Sequence, residues 1–177
     1  MIVHKINGKA PQLGKECFVA ETAAILGDVR MGDNCTVWYG AVIRGDDNSI
    51  EIGDRVNVQD CTVIHVSEGP AGKVRIGDDV VLGHNATIHA ATIGNHCLVG
   101  MGATILDGAV VEDGSLVAAH ALVLGKTHIG PGELWAGVPA KFVKNISPEA
   151  VKRTIDEGVK AYVEWGKVYS EVIEKGE

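Results

Sequence analysis

Residues 93–117 read IGNHCLVGMGATILDGAVVEDGSLV, and an aliphatic side chain occupies every sixth position of this stretch, from Ile93 to Val117. The same period begins at Val19 and, with slips in phase, continues to Ile129. A period of six is neither that of a helix nor the two-residue alternation of a simple strand. It indicates a chain that runs straight for a few residues, turns and repeats. Three such segments would close a triangular coil of about 18 residues, and successive coils would stack about 4.8 Å apart.

Glycine and other small residues recur beside the aliphatic positions. A glycine often follows the aliphatic residue directly, and a small residue often lies four positions after it, as Ala103 does after Val99. Aromatic residues make up 5% of a chain that is 46% hydrophobic, so the interior must be narrow and filled by aliphatic side chains. The pattern resembles the hexapeptide-repeat family, which implies an all-β solenoid, a left-handed parallel β-helix. The hand comes from the family, because the usual rule for parallel crossovers would give the opposite one.

A different pattern begins after the last repeat. Residues 1–141 are predicted to form the β-helix together with an N-terminal segment, because the repeat ends there. Ser147-Pro148-Glu149 is then typical of a helix start, with an N-cap, a proline at the first helical position and an acid in the first turn. Apolar residues follow at helical spacing. Residues 147–177 are therefore predicted to form a C-terminal α-helix, weakened by Gly158 and Gly166, that packs along a flat side of the β-helix.

The composition argues against several classes of partner. The chain carries 16 basic and 23 acidic residues, a net charge of -7, whereas nucleic-acid binding needs a basic surface. No apolar run is long enough to span a bilayer, and the first residues form no apolar signal segment. We therefore expect a cytoplasmic protein with no membrane segment and no nucleic-acid partner. Its four cysteines are then expected to be reduced thiols.

Three of the seven histidines come together when the coils are indexed. If residues 66–75 form a loop outside the repeat, His65 and His89 lie one coil apart and both point outward. Arg44 falls in the same column, whereas His84 lies on the adjoining face. Two stacked imidazoles can bind one metal ion, but a third ligand on another side of a convex prism must come from a neighbouring molecule. Three neutral imidazoles leave a coordination position open, as in a catalytic zinc site.

At these residues the resemblance becomes specific. Residues 44–47 (RGDD), 57–60 (NVQD) and 83–89 (GHNATIH), together with His65, resemble the active-site signature of gamma-class carbonic anhydrases. The resemblance covers about residues 12–141 and implies a homotrimer in which His65, His84 and His89 bind a metal across the interface. Zinc is the implied ion, and iron or cobalt would also suit imidazole ligands. The resemblance further assigns Arg44 and Asp46 as an intersubunit ion pair, Asp60 as an interface acid, Gln59 as the group that positions the metal-bound water, and Tyr162 as an active-site tyrosine.

The resemblance also implies the reaction, which is the reversible hydration of CO2 to bicarbonate by a metal-bound hydroxide. Zinc lowers the pKa of its water to about 7, which makes hydroxide available at neutral pH. The founding enzymes of the family carry a long acidic loop after the first histidine, with a glutamate proposed to shuttle protons. The loop is short here, but Glu68 falls where that glutamate does, and Asp47 matches a second acidic position. A short loop is expected to affect the turnover rate more than metal binding.

Two other functions stay open, because a fold does not settle a function. Many hexapeptide-repeat proteins transfer acyl groups from coenzyme A, but they usually rely on one catalytic histidine and a cofactor groove. The three histidines weigh against that class. A metal-binding trimeric scaffold or assembly protein with little activity is not distinguished from an enzyme by the sequence. Metal content separates the carbonic anhydrase from the acyltransferase, and turnover separates it from the scaffold.

Overall fold

A computed structural model of the protein describes residues 1–175, so the last two residues of the predicted C-terminal helix, 176 and 177, lie outside the described residues. The chain forms a parallel β-solenoid that is followed by helical structure. Its strands are β1 (Ile2–His4), β2 (Gln12–Leu13), β3 (Phe18–Val19), β4 (Ala24–Met31), β5 (Thr36–Val37), β6 (Val42–Ile52), β7 (Asn57–Val58), β8 (Val63–His65), β9 (Val74–Ile76), β10 (Val81–Leu82), β11 (Thr87–His89), β12 (Thr92–Ile93), β13 (Leu98–Val99), β14 (Thr104–Ile105), β15 (Val110–Val111), β16 (Leu116–Val117), β17 (Leu122–Val123), β18 (His128–Ile129), β19 (Glu133–Gly137) and β20 (Ala140–Asn145). The helical elements are α1 (Pro148–Val151), a π-helical turn (Lys152–Asp156) and α2 (Glu157–Lys175).

The strands line the three faces of a prism. One face stacks β8, β11, β14 and β17, the second stacks β9, β12, β15 and β18, and the third runs from β3 through β5, β7, β10, β13 and β16 to β19. The long strand β6 joins the first two faces, since its beginning pairs with β8 and its end pairs with β9. Pairing between coils is parallel, and partners such as Ile88 and Ile105, or Val99 and Val117, are 17 and 18 residues apart. This register confirms the predicted parallel β-helix and its coil length.

The aliphatic positions of the repeat form the core. On the first face Ile43, Ile64, Ile88 and Ile105 pair in register from one coil to the next, and all four are fully buried. Burial of an aliphatic side chain of this size contributes about 1.5–3 kcal/mol relative to exposure. Because the column repeats on every coil, each coil is stabilised mainly by the coils that it touches.

One corner of the prism explains why glycine recurs. Five side chains stack there, and an oxygen of each accepts a hydrogen bond at 2.7–2.9 Å from a backbone N–H of the preceding coil. These side chains are Asp33, Asp54, Asp78, Asn95 and Asp113. A Cβ atom on Gly53 would lie 2.2 Å from Oδ1 of Asp78 and 2.8 Å from the backbone of Gly77. The close approach of two coils therefore requires glycine at this position.

The C-terminal helix starts where the sequence predicts. Ser147 is the N-cap, its hydroxyl accepts a hydrogen bond from the Ala150 N–H at 3.2 Å, and Pro148 is the first helical residue. The π-helical turn follows and directs Ile155 into a small buried cluster with Val81. Within residues 1–175, no helix combines the length and the apolar character that a membrane crossing requires.

The two glycines of the helix differ in their surroundings. A Cβ atom on Gly166 would lie 2.7 Å from the methyl group of Thr36 and 3.1 Å from Cβ of Phe18. Gly166 therefore lets α2 approach the first coils closely, which the sequence-based view of it as a weak point does not anticipate. Gly158 has no neighbouring heavy atom within 4 Å of its would-be Cβ, so its only effect is on helix propensity.

Candidate metal centre

Two of the predicted ligands face each other on one side of the prism. His65 ends β8 and pairs in register with Arg44 on one side and with His89, at the end of β11, on the other. This is the column that the coil indexing predicts. Nδ1 of His65 lies 3.1 Å from Nε2 of His89, and the ring centroids are 5.1 Å apart.

Carboxylates on the outer side of both rings determine where their protons lie. Oδ1 of Asp46 is 3.1 Å from Nε2 of His65, and Oδ1 of Asp107 is 2.6 Å from Nδ1 of His89. An ionised carboxylate only accepts hydrogen bonds, so each of these outer nitrogens carries the proton of a neutral ring. The two inner nitrogens then both present lone pairs across 3.1 Å. A cation between them would remove this repulsion, so the donor set fits the metal that the sequence implies.

Two further groups surround Asp46. Nη1 of Arg44 donates to Oδ2 of Asp46 within the same protomer. Burial raises the pKa of Asp46, but the hydrogen bonds from Arg44 and His65 outweigh it and hold the pKa below its usual value. Asp46, the exposed Asp47 and His65 can also bring one ligand atom each within 4.8 Å of one another. Both acids of residues 44–47 thus lie at the paired histidines.

The third predicted ligand lies on the adjoining face. His84 follows β10, its Nδ1 is 2.8 Å from Oδ2 of Asp60, and its backbone N–H donates to Oε1 of Gln59 at 3.1 Å. The contact with Asp60 leaves Nε2 of a neutral His84 as the free nitrogen. Within residues 1–175, the ring nitrogens of His84, His65 and His89 do not all come within 4.8 Å of one another. One protomer therefore brings two of the three predicted ligands together.

Tyr162 reaches the same region from α2. Its ring packs edge-on against Trp38 with the centroids 5.6 Å apart, and both residues line a cleft of about 410 Å³ that also contains Asp60 and His84. Burial and the nearby charge of Asp60 raise the pKa of the tyrosine. Trp38 cannot be singled out from the sequence, because a repeat does not indicate which face of the prism the helix covers.

The loop after His65 carries Glu68, which is exposed. The preceding residue fixes this loop to the centre, because the Ser67 hydroxyl donates to Oδ2 of Asp107 at 2.5 Å. The hydrogen bonds from Ser67 and His89 hold the pKa of Asp107 below its usual value. Sequence reasoning missed both Ser67 and Asp107. One signal was present, since Asp107 lies 18 residues, or one coil, after His89.

The fold and two family matches define the class of the protein. The family described as bacterial transferase hexapeptide (six repeats) matches residues 90–125, and the hexapeptide repeat of succinyl-transferase matches residues 73–105. Among solved structures, a hexapeptide transferase family protein from Anaplasma phagocytophilum is 38% identical, with a TM-score of 0.89 over 95% of this chain and 98% of that one. The chain is thus similar to hexapeptide-repeat proteins along nearly its whole length.

Named relatives narrow this class. A carbonic anhydrase from Geobacillus kaustophilus is 36% identical over 168 residues, which are 95% of this chain and 91% of that protein. Gamma carbonic anhydrase 2, mitochondrial, from Arabidopsis thaliana is 43% identical over 166 residues, which are 92% of this chain and 59% of the plant protein. The chain therefore spans little more than half the length of this plant relative. It belongs to the gamma carbonic anhydrase family of hexapeptide-repeat proteins.

Proposed function

We propose that this protein is a metal-dependent carbonic anhydrase that catalyses the reversible hydration of CO2 to bicarbonate at the interfaces of a homotrimer. The observation that carries the proposal is the pair His65 and His89, whose inner nitrogens lie 3.1 Å apart while a carboxylate lies within hydrogen-bond distance of each outer nitrogen. The names of the relatives from Geobacillus and Arabidopsis support the same reaction.

Three side chains would hold the metal. His65 through Nδ1 and His89 through Nε2 would come from one protomer, and His84 through Nε2 would come from its neighbour. Zinc is the ion we expect, and iron or cobalt would suit the same three imidazoles. When bound, such an ion is a Lewis acid that lets water act as a nucleophile at neutral pH.

Gln59 has the position and the free donors to orient the reacting water. Its side chain is buried, and its Oε1 accepts the His84 backbone N–H at 3.1 Å. This contact directs the carbonyl end of the amide toward the backbone and leaves its NH2 group to donate to an oxygen of water or bicarbonate. Asp60 holds the ring of His84 from the other side, so both residues fix the ligand that must reach the neighbouring protomer.

The division of the ligands between two faces requires an oligomer, and we propose that it is the trimer implied by the family resemblance. His84 lies on a different face from the other two histidines, so a complete site needs a second copy of the chain. Arg44 and Asp46 contact each other beside His65, and we propose that this pair meets the neighbouring protomer at the same place. Arg44→Ala is then expected to disperse the oligomer and abolish activity together. An Arg44 variant that remained trimeric and active would contradict this role.

The hydration reaction releases a proton, and two exposed carboxylates are placed to accept it. Glu68 lies in the loop after His65, and Asp47 lies beside Asp46. We expect Glu68→Gln to lower kcat in dilute buffer by about 100-fold, at the lower end of the usual range for general acid–base catalysis. A high concentration of imidazole buffer should restore the rate, since it can carry the proton instead. A loss that buffer does not restore would assign Glu68 a structural role.

Stopped-flow CO2 hydration on protein of measured metal content and oligomeric mass tests the proposal directly. His84→Ala should remove the activity, whereas His128→Ala, which breaks a 2.6 Å contact between His128 and Glu112 on another face, should not. A metal-loaded trimer without turnover would make the protein a metal-binding scaffold. A protein that binds no metal would refute the centre itself.

A further inference from the structure

The Asp107 carboxylate bridges a predicted metal ligand, His89, and the loop that carries Glu68. Its Oδ1 lies 2.6 Å from Nδ1 of His89, and its Oδ2 accepts the Ser67 hydroxyl at 2.5 Å. The backbone beneath it is fixed by the solenoid, because the Asp107 carbonyl accepts the Lys126 N–H at 3.0 Å and the next residue, Gly108, donates to Ala90 at 2.8 Å. The carboxylate is thus held on a rigid corner of the solenoid, between the ring of His89 and the hydroxyl of Ser67.

We propose that Asp107 is a positioning residue of the metal centre that fixes the tautomer and orientation of His89 and, through Ser67, ties the loop carrying Glu68 to the same ligand. This inference rests on the proposed function. Within it, Asp107 touches neither metal nor substrate, so it acts only through His89 and Ser67.

The first part of the argument concerns the ring of His89. A neutral imidazole has one proton, and Nδ1 must carry it if Nε2 is to bind a metal. The Asp107 side chain is 55% exposed, so its charge is screened, and its effect on His89 comes from the directed hydrogen bond. Such partners of metal-bound histidines typically change metal affinity by about 10–100-fold.

The second part concerns the loop. Asn48 holds it from one side, because its side-chain NH2 donates to the carbonyls of Ser67 at 3.2 Å and Gly69 at 2.6 Å. Asp107 holds it from the other side through the Ser67 hydroxyl. Glu68 lies between these two attachments, so the position of its carboxylate depends on both. Loss of the Ser67 contact should therefore affect proton transfer more than metal binding.

The chain offers a matched control on another face. Oε1 of Glu112 lies 2.6 Å from Nε2 of His128, which is the same separation as between Asp107 and His89. Glu112 and His128 take no part in the proposed site. Glu112→Ala therefore removes the same hydrogen-bond acceptor from a comparable histidine contact without touching the metal centre.

The test is the zinc dissociation constant by chelator competition, together with the visible spectrum of the cobalt-loaded protein. We expect Asp107→Ala, which removes the hydrogen-bond acceptor, to weaken zinc binding about 10–100-fold and to shift the cobalt bands. Glu112→Ala should leave zinc affinity and spectrum unchanged, because neither Glu112 nor His128 belongs to the proposed site. For Ser67→Ala we expect near-normal affinity with a lower kcat that imidazole buffer restores. Unchanged affinity and spectrum in Asp107→Ala would overturn the inference while leaving the proposed function intact.

Two further results separate the possible failures. A wild-type protein that bound no zinc would refute the proposed metal centre, and this inference with it. If Asp107→Ala did not fold, long-range ¹H–¹⁵N spectra of the zinc-loaded wild type would decide. A proton on Nδ1 of His89 would support the inference, and a proton on Nε2 would overturn it.

Discussion

Mixed trimers test the division of the metal ligands between protomers. His65→Ala and His84→Ala should each be inactive alone, because every interface then lacks one ligand. When the two variants assemble together, an interface is intact where a His84→Ala protomer supplies His65 and His89 and its neighbour, a His65→Ala protomer, supplies His84. Co-expression with two different tags would give such trimers, and mass spectrometry would measure their composition.

The size of the recovery follows from the symmetry. In a cyclic trimer assembled at random from equal amounts, about one interface in four has the required order of protomers. We therefore expect about one quarter of the wild-type CO2 hydration rate and, independently of turnover, about one quarter of the wild-type zinc content. Both readouts should rise together.

A second mixture provides the control. His65 and His89 come from the same protomer, so a mixture of His65→Ala with His89→Ala leaves no interface complete and should recover nothing. Trimers of His65→Ala and His84→Ala that form but recover neither activity nor zinc would refute the division proposed here. Recovery in the control mixture would refute it equally.

The remaining predictions concern the scaffold. Gly53→Ala should cost about 1–3 kcal/mol in the free energy of unfolding, because its Cβ would lie 2.2 Å from Oδ1 of Asp78. Gly158→Ala, with open space around it, should gain up to about 1 kcal/mol. Urea unfolding of both variants measures the two changes, and equal effects would contradict this prediction. The hydrogen bonds from Arg55, at 2.6 and 2.8 Å, hold the pKa of Asp79 below its usual value. Their contribution is therefore present above the ordinary aspartate pKa near 4 and is lost as the pH falls through the lower folded value. Asp79→Asn should be about 1 kcal/mol less stable than the wild type at pH 7, with the gap closing toward pH 2; a gap that does not depend on pH would show that the carboxylate charge is not its cause.

The solenoid and the histidine column could both be predicted from the amino-acid sequence. In a stacked coil each residue meets the one that lies a coil later, so the period of the aliphatic residues sets the register of every outward side chain. Arg44, His65 and His89 fall in one column for this reason, once the loop after His65 is set aside. The loop is shorter than the predicted 66–75, because β9 already begins at Val74. The start of the helix at Pro148 is equally local, because an N-cap hydroxyl and a proline act on their own neighbours.

Contacts that the repeat does not generate became known only from the folded chain. Ser67 meets Asp107 because the loop folds back over the next coil, and the path of a loop carries no period. Tyr162 packs against Trp38, and Gly166 approaches Thr36, because the helix lies across one face of the prism. The shape complementarity of many side chains determines which face that is. Contacts at a fixed separation along the chain can be read from the sequence, whereas contacts that depend on the packing of an aperiodic segment cannot.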